Sequence, residues 1–378
     1  MKESNPPYPL VDVLRAFAAL LVVAYHVIES GRWSSFPIDG PMRIFRMGWI
    51  GVDCFFVISG FVITLSALKD LEHNPIGFRR RFAIRRLARI APLYFLTSLV
   101  FVFVVQPDLL LQSGSYQLTQ LFTHLFFIHN LYIGTAGAIN GPTWSIGLEM
   151  QFYVLIMLIA PWLAKVSIPR MLLVLTAVAW SYRYLLTLIL EPGTAPVYAQ
   201  VVYTTQLPGT IDQFGIGMAI GLAVARQRGR LWDLLQPGWS NFALWAALGT
   251  ALWWATWEAF WPRAAFWYFS PMIVFWRSLL SVAFACWIAA LMTLPIARFV
   301  LFKPFRYLGE ISYGVYLWHM PVLISMLKLQ QLYGGRLLGK VLLGAIALAM
   351  FCWHFFERPL LLQLKASTAT RRNDGAPG

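Results

Sequence analysis

The sequence predicts an all-α polytopic membrane protein of about ten transmembrane helices plus a short re-entrant or interfacial helix. Three observations predict it. Of 378 residues, 59% are hydrophobic and only 12% charged, and the mean hydropathy is +0.63, which places the chain outside ordinary soluble composition. Apolar stretches near the roughly 20 residues that cross a bilayer as a helix recur from end to end. Lys and Arg gather between these stretches in an alternating way, as the positive-inside rule requires.

Apolar segments fall near residues 11–29, 48–68, 88–106, 118–133, 144–164, 171–190, 208–225, 241–260, 272–294, 311–327 and 338–356. The first carries Arg15 and His26 with no small-residue cleavage site behind it, so it reads as a retained span and not a removed signal peptide. The fourth is the exception. It holds Thr119, Gln120, Thr123, His124, His129 and Asn130 and is short for a span.

Positive charge arbitrates. If the fourth segment does not cross and the N-terminus is cytoplasmic, 21 of the 30 basic residues face the cytoplasm. Eight then lie outside (Arg32, Arg43, Arg46, Arg263, Arg277, Lys328, Arg336 and Lys340), and Arg183 lies within a span. Counting the fourth segment as a span moves Lys165, Arg170 and the Arg226 to Arg230 cluster outside. The reading is therefore ten spans with both termini cytoplasmic, in the inner (cytoplasmic) membrane. Residues 1–378 form one integral-membrane domain, with 361–378 expected as a disordered cytoplasmic tail.

The net charge of +14 is read as topology and not as a nucleic-acid footprint. Cys54, Cys286 and Cys352 sit in apolar runs without CxxC spacing, so neither a disulfide framework nor a metal site is expected. Between 255 and 269 the chain crowds Trp257, Phe260, Trp261, Phe266, Trp267, Tyr268 and Phe269, an interfacial belt some of whose rings can also stack on a sugar.

Arg15 and His26 lie eleven residues apart in an apolar run, hence on one helix face about 16 Å apart. Two readings stand: Arg15 snorkels and pairs with Asp12 while His26 is a satisfied core histidine, or both are functional. In this topology His26, Asp53, Glu149 and Asp212 all fall in the outer half of the bilayer, where three carboxylates and an imidazole can converge. A histidine oriented by a carboxylate is a general base for a hydroxyl. The same cluster can relay protons in a transporter, and each carboxylate can cap a helix. On the inner side, six arginines fall between Arg79 and Arg89. Arg86 and Arg89, at i,i+3, share a face, and guanidinium forks suit phosphates; the alternative is attraction to anionic lipid, preferred for Arg79 to Arg81. Ser312, Tyr316 and His319 lie on the tenth apolar segment, where His319 is structural or catalytic.

Five ordered motifs carry a resemblance: Arg15 to His26; Gly51-Val52-Asp53 to Ser59-Gly60-Phe61; Arg86 and Arg89 followed by Pro92 and Tyr94; Thr143-Trp144-Ser145 to Glu149, Gln151, Phe152 and Tyr153; and Ser312-Tyr313-Gly314 to Trp318-His319. Together the chain resembles the integral-membrane acyltransferase family 3 over almost its whole length. The resemblance implies ten spans, acyl-CoA as a cytoplasmic donor substrate with no tightly bound cofactor, and O-acylation, most often acetylation, of a carbohydrate acceptor such as a cell-surface polysaccharide or lipid-linked glycan. It also implies functional roles for Arg15, His26, Arg86 and Arg89, with Glu149 a partner. Met150 departs from the family, in which a second carboxylate is frequent there.

The mechanism so implied has Arg86 and Arg89, with Arg15, holding the donor, His26 as base oriented by Glu149 or Asp53, and Trp144, Ser145 or Tyr153 stabilising the oxyanion. Asp212 and His319 complete the candidate set. A covalent acyl intermediate is a variant. The rival class is a transporter, against which stands the lack of an internal repeat or of paired broken helices.

Overall fold

The computed structural model describes residues 8–260, 267, 269–295, 302–330 and 333–363. In chain order its helices are α1 (Val11–Ser30), α2 (Ile50–His73), α3 (Phe78–Val100), α4 (Gly114–Leu125), α5 (Ile133–Ala136), α6 (Trp144–Leu163), α7 (Ile168–Ile189), α8 (Val197–Thr204), α9 (Leu207–Arg226), α10 (Arg230–Leu234), α11 (Trp239–Phe260), α12 (Ser270–Thr293), α13 (Lys303–Glu310), α14 (Ser312–Gln330) and α15 (Gly334–Cys352). There is no strand among the described residues. Among the described residues, eight helices are long and apolar enough to cross a membrane. With α11 and α14, of 22 and 19 residues, the long helices among the described residues follow the ten predicted spans. Trp261, Phe266, Tyr268 and the tail from 364 lie outside the described residues; 361–363 continue the last helix.

The fourth apolar segment does not form a spanning helix. α4 has 12 residues, about 18 Å of helix against a hydrocarbon core of about 30 Å. Past it the chain turns through His129–Leu131 and α5 and then re-enters α6 at Asn140, whose left-handed φ of 49° makes the turn. Irregular backbone survives at membrane depth only where protein satisfies it, and here neighbouring side chains help to do so. His129 Nε2 donates to the Thr143 carbonyl at 3.0 Å, Gln151 Nε2 to Asn130 Oδ1 at 2.7 Å, and Gln120 Nε2 to the Gly134 carbonyl at 2.9 Å.

α2 is the inner helix of the bundle, packed by α1, α6, α9 and α12. Its approach to α9 is set by two glycines. A Cβ on Gly60 would stand 2.1 Å from the Phe214 carbonyl oxygen, and one on Gly217 would stand 1.9 Å from that of Val57. Small residues let two helices meet backbone to backbone where no hydrophobic driving force separates helix from lipid. That contact fixes the height of Asp53 and Ser59 on α2 against their neighbours.

One further feature corrects an expectation and another meets one. Arg277, counted to an outer loop, lies in the second turn of α12 and is buried. The three cysteines are free and buried, as their apolar settings predict.

Candidate functional site

Two cavities open toward opposite ends of α1. Near its N-terminal end, a small cavity of about 130 Å³ is lined by Arg15, Ser59, Arg86, Arg89, Glu149 and Tyr153 among others. Glu149 Oε1 accepts from Ser59 Oγ at 2.7 Å and from Tyr153 Oη at 2.6 Å, the latter one helical turn along α6. Arg86 Nη2 donates to Ser66 Oγ at 2.8 Å, and its guanidinium lies over the Phe82 and Tyr153 rings at 5.2 and 5.7 Å. Arg89 Nη1 meets Glu357 Oε2 at 3.3 Å, Nη2 meets the Glu310 carbonyl at 3.4 Å, and the group rests over Trp353 at 5.1 Å. Arg15 pairs with Asp12 at 3.7 Å, yet it also lines this cavity. The pairing with Asp12 is thus present, and it leaves Arg15 on the cavity wall.

Near the C-terminal end of α1 lies a larger cavity of about 620 Å³, whose walls include Tyr25, His26, Trp49, Trp144, Tyr198 and Arg277. His26 Nδ1 is 2.9 Å from the Val22 carbonyl and 3.2 Å from His319 Nε2, and His319 Nδ1 is 2.5 Å from the Tyr316 carbonyl. A carbonyl can only accept, so His319 carries its proton on Nδ1 and offers a lone pair at Nε2. His26 Nδ1 is then the donor to Val22 and His319. Its Nε2 has no hydrogen-bond partner among the described residues and is not sealed in, so a bare lone pair faces the cavity. Trp144 lines the same wall, and its indole N–H makes no hydrogen bond among the described residues.

Val52 and Tyr316 line both cavities and so form the wall between them. Tyr316 Oη lies 2.8 Å from the Pro142 carbonyl and 2.8 Å from Ser145 Oγ. The left-handed turn at Asn140 aims Pro142 and Ser145 at this point, and Asn140 Nδ2 ties the turn to the Leu317 carbonyl at 3.0 Å.

This arrangement departs from the expected convergence of carboxylates on His26. Asp53 accepts from Arg277 Nη1 at 2.6 Å. Asp212 is held by Arg183 Nη2 and Ser278 Oγ, with its other oxygen on the Gln213 amide at 3.0 Å. Both carboxylates are buried, and neither hydrogen-bonds His26 nor lines its cavity. A charge this deep must be paired, and the partners are Arg183 on α7, expected within a span, and Arg277 on α12, expected outside. Glu149 sits in the arginine cavity, away from His26. The expected oxyanion donors are divided too: Trp144 stands with His26, Tyr153 donates to Glu149, and Ser145 is engaged at the wall. The group that orients His26 is His319, which the reading had placed on the substrate side. Its partner was not legible because the contact joins helices 293 residues apart in sequence. No group of three His, Cys, Asp or Glu suited to a metal occurs among the described residues.

A bundle of apolar spans with an arginine-lined cavity at one end, an open imidazole at the other and a wall of Val52 and Tyr316 between them has the layout of a membrane-embedded group-transfer protein. The chain belongs to the acyltransferase domain family, whose model matches residues 8–356. It is similar to the peptidoglycan O-acetyltransferase OatA of Listeria monocytogenes, 26% identical over 95% of this chain. A Bacillus subtilis chain provisionally named a peptidoglycan O-acetyltransferase, YrhL, is 28% identical over 94%, and the O-acetyltransferase OatA of Staphylococcus aureus is 26% identical over 95%. The chain spans only 55%, 56% and 58% of the lengths of YrhL and the two OatA proteins respectively. No solved structure matches it.

Proposed function

We propose that the chain is a membrane O-acyltransferase that moves an acyl group, in the first instance acetyl, from cytoplasmic acyl-CoA to a hydroxyl of a carbohydrate presented on the far side of the cytoplasmic membrane. Both termini are then cytoplasmic, with the arginine cavity inside and the His26 cavity outside. The observation that carries this reading is the open Nε2 of His26 across a single wall from Arg86, Arg89 and Arg15.

At about 130 Å³ the inner cavity falls below the roughly 300–1,000 Å³ of ordinary ligand pockets. It suits the thin thioester arm of the donor, whose phosphates stay at the basic rim of α3, where Arg79 and Arg80 are exposed. Guanidinium forks bind phosphates bidentately. When an acceptor fills the outer cavity, Tyr316 and Val52 move aside to admit the thioester end of the arm, and His26 Nε2 takes the acceptor hydroxyl proton as its oxygen attacks the thioester carbon. The C–O bond forms, the C–S bond breaks, and the proton passes from His26 to the departing sulfur, giving ester and thiol. Trp144 N–H faces the same space and suits the transient oxyanion.

The test uses purified protein in nanodiscs with acetyl-CoA and glycan acceptors, following free thiol and ester formation. His26→Ala abolishes ester formation with the fold intact, and Arg86→Ala raises the donor KM. Ester formation retained by His26→Ala sinks the proposal.

A further inference from the structure

We propose that Arg277 makes the outer cavity a site for an anionic glycan, binding a carboxylate or phosphate on the acceptor while Trp49 and Trp267 flank its ring. This rests on the acyltransferase reading and adds the charge class of its acceptor.

Among the described residues, Arg277 is the charged side chain lining the 620 Å³ cavity. Only its Nη1 is engaged, on Asp53 Oδ1 at 2.6 Å. Among the described residues Nε and Nη2 have no hydrogen-bond partner, and neither is sealed from open space, so one edge of the fork faces the cavity. The guanidinium is held between two indoles, Trp49 at 5.0 Å and Trp267 at 6.0 Å from ring centre, and Trp49 is braced by Trp276 at 5.2 Å. It is therefore pre-positioned, with little side-chain freedom left to lose on binding.

A structural role alone accounts poorly for this arrangement. Taking an ion pair out of water costs several kcal/mol per ion unless its remaining N–H groups are satisfied. In the neighbouring pair Arg183 spends Nε on the Ala179 carbonyl and Nη2 on Asp212 and Ser278, and its remaining Nη1 is sealed away from open space. Arg277 instead leaves an edge unfilled beside His26, which lines the same cavity. Asp53 does not line the cavity, so it anchors the guanidinium from behind rather than competing at the open edge. An incoming oxyanion meets two N–H donors in the geometry that favours bidentate recognition.

The test measures binding, so that it does not depend on turnover. His26→Ala protein in nanodiscs is titrated with a disaccharide containing glucuronic acid, with its methyl ester, and with the same neutral disaccharide carrying a phosphate monoester, following quenching of tryptophan fluorescence. At least one anion binds roughly ten- to a hundredfold tighter than the ester, the worth of a charge-assisted hydrogen bond. The tighter of the two tells a sugar acid from a lipid-linked sugar phosphate as the source. The double variant Asp53→Asn/Arg277→Gln, which removes both charges and leaves neither stranded, binds acid and ester alike while remaining monodisperse. Equal binding of all three ligands by the parent, or unchanged discrimination in the double variant, overturns the proposal. Failure of the acyltransferase reading shows separately, as anion discrimination without thiol release or ester formation in protein that retains His26.

Discussion

His319 Nε2 lies 3.2 Å from His26 Nδ1, and the far nitrogen of His319 ends on a backbone carbonyl. A carbonyl cannot take a proton, so this chain of rings orients His26 and does not conduct charge away from it. It holds His26 with Nδ1 protonated and Nε2 bare, the task a carboxylate performs in a hydrolytic triad. His319→Leu removes the acceptor and is expected to lower kcat about a hundredfold, within the range of general-base contributions, with both KM values unchanged. His319→Gln offers a side-chain oxygen to His26 and is expected to recover part of the loss. Equal kcat in the Leu variant and the parent, or KM effects without a kcat effect, would show that His319 only fills space.

Arg89 is held less freely than a donor-binding residue read from sequence would be. Glu357, 5% exposed, pairs with it at the far end of the chain. Arg89→Ala leaves that carboxylate stranded and is expected to cost about 3 kcal/mol of stability, seen as a lower unfolding midpoint. Adding Glu357→Gln to Arg89→Ala restores the midpoint but not the donor KM. If the double variant recovers both, Arg89 is a structural anchor, and Arg86 with Arg15 carries the donor.

Helix existence, the short fourth segment and the burial of the cysteines were all legible, because hydropathy and length state them locally. His26, Arg15 and the Arg86 and Arg89 pair stand out in the sequence as costly polar groups, and they line cavities. Their partners were not legible. Which helix faces which depends on contacts such as Gly60 on Phe214, and no periodicity within one segment encodes them. Asp53 and Asp212 looked like candidate acids because their guanidinium partners sit on other helices, α12 and α7. An arginine inside an apolar run is the signal that points to such a pairing, and Arg183 and Arg277 both carried it.

The orientation has a direct check. A cysteine introduced at Gly193, between α7 and α8, is expected to react with a membrane-impermeant maleimide added to intact cells. One at Gly229, between α9 and α10, is expected to react only after the membrane is permeabilised. The opposite pattern would put the arginine cavity outside and remove the cytoplasmic donor.

Tyr316 bears the separation between the two ends. Its ring packs edge-on to Phe55 at 6.0 Å, and its hydroxyl is fixed by the Pro142 carbonyl and Ser145. Shortening it to alanine joins the two cavities and lets water reach a bound thioester, since a closed site excludes such side reactions. Tyr316→Ala is expected to raise thiol release without acceptor on the order of tenfold and to lower ester yield per thiol released, at a stability cost of about 3 kcal/mol for an emptied aromatic site. Tyr316→Phe keeps the ring and loses only the hydroxyl contacts, so its acceptor-free release stays near the parent value. Were the two variants to leak equally, the hydroxyl latch would be the barrier; were neither to leak, the wall would lie elsewhere and the coupling of the two cavities through this residue would be wrong.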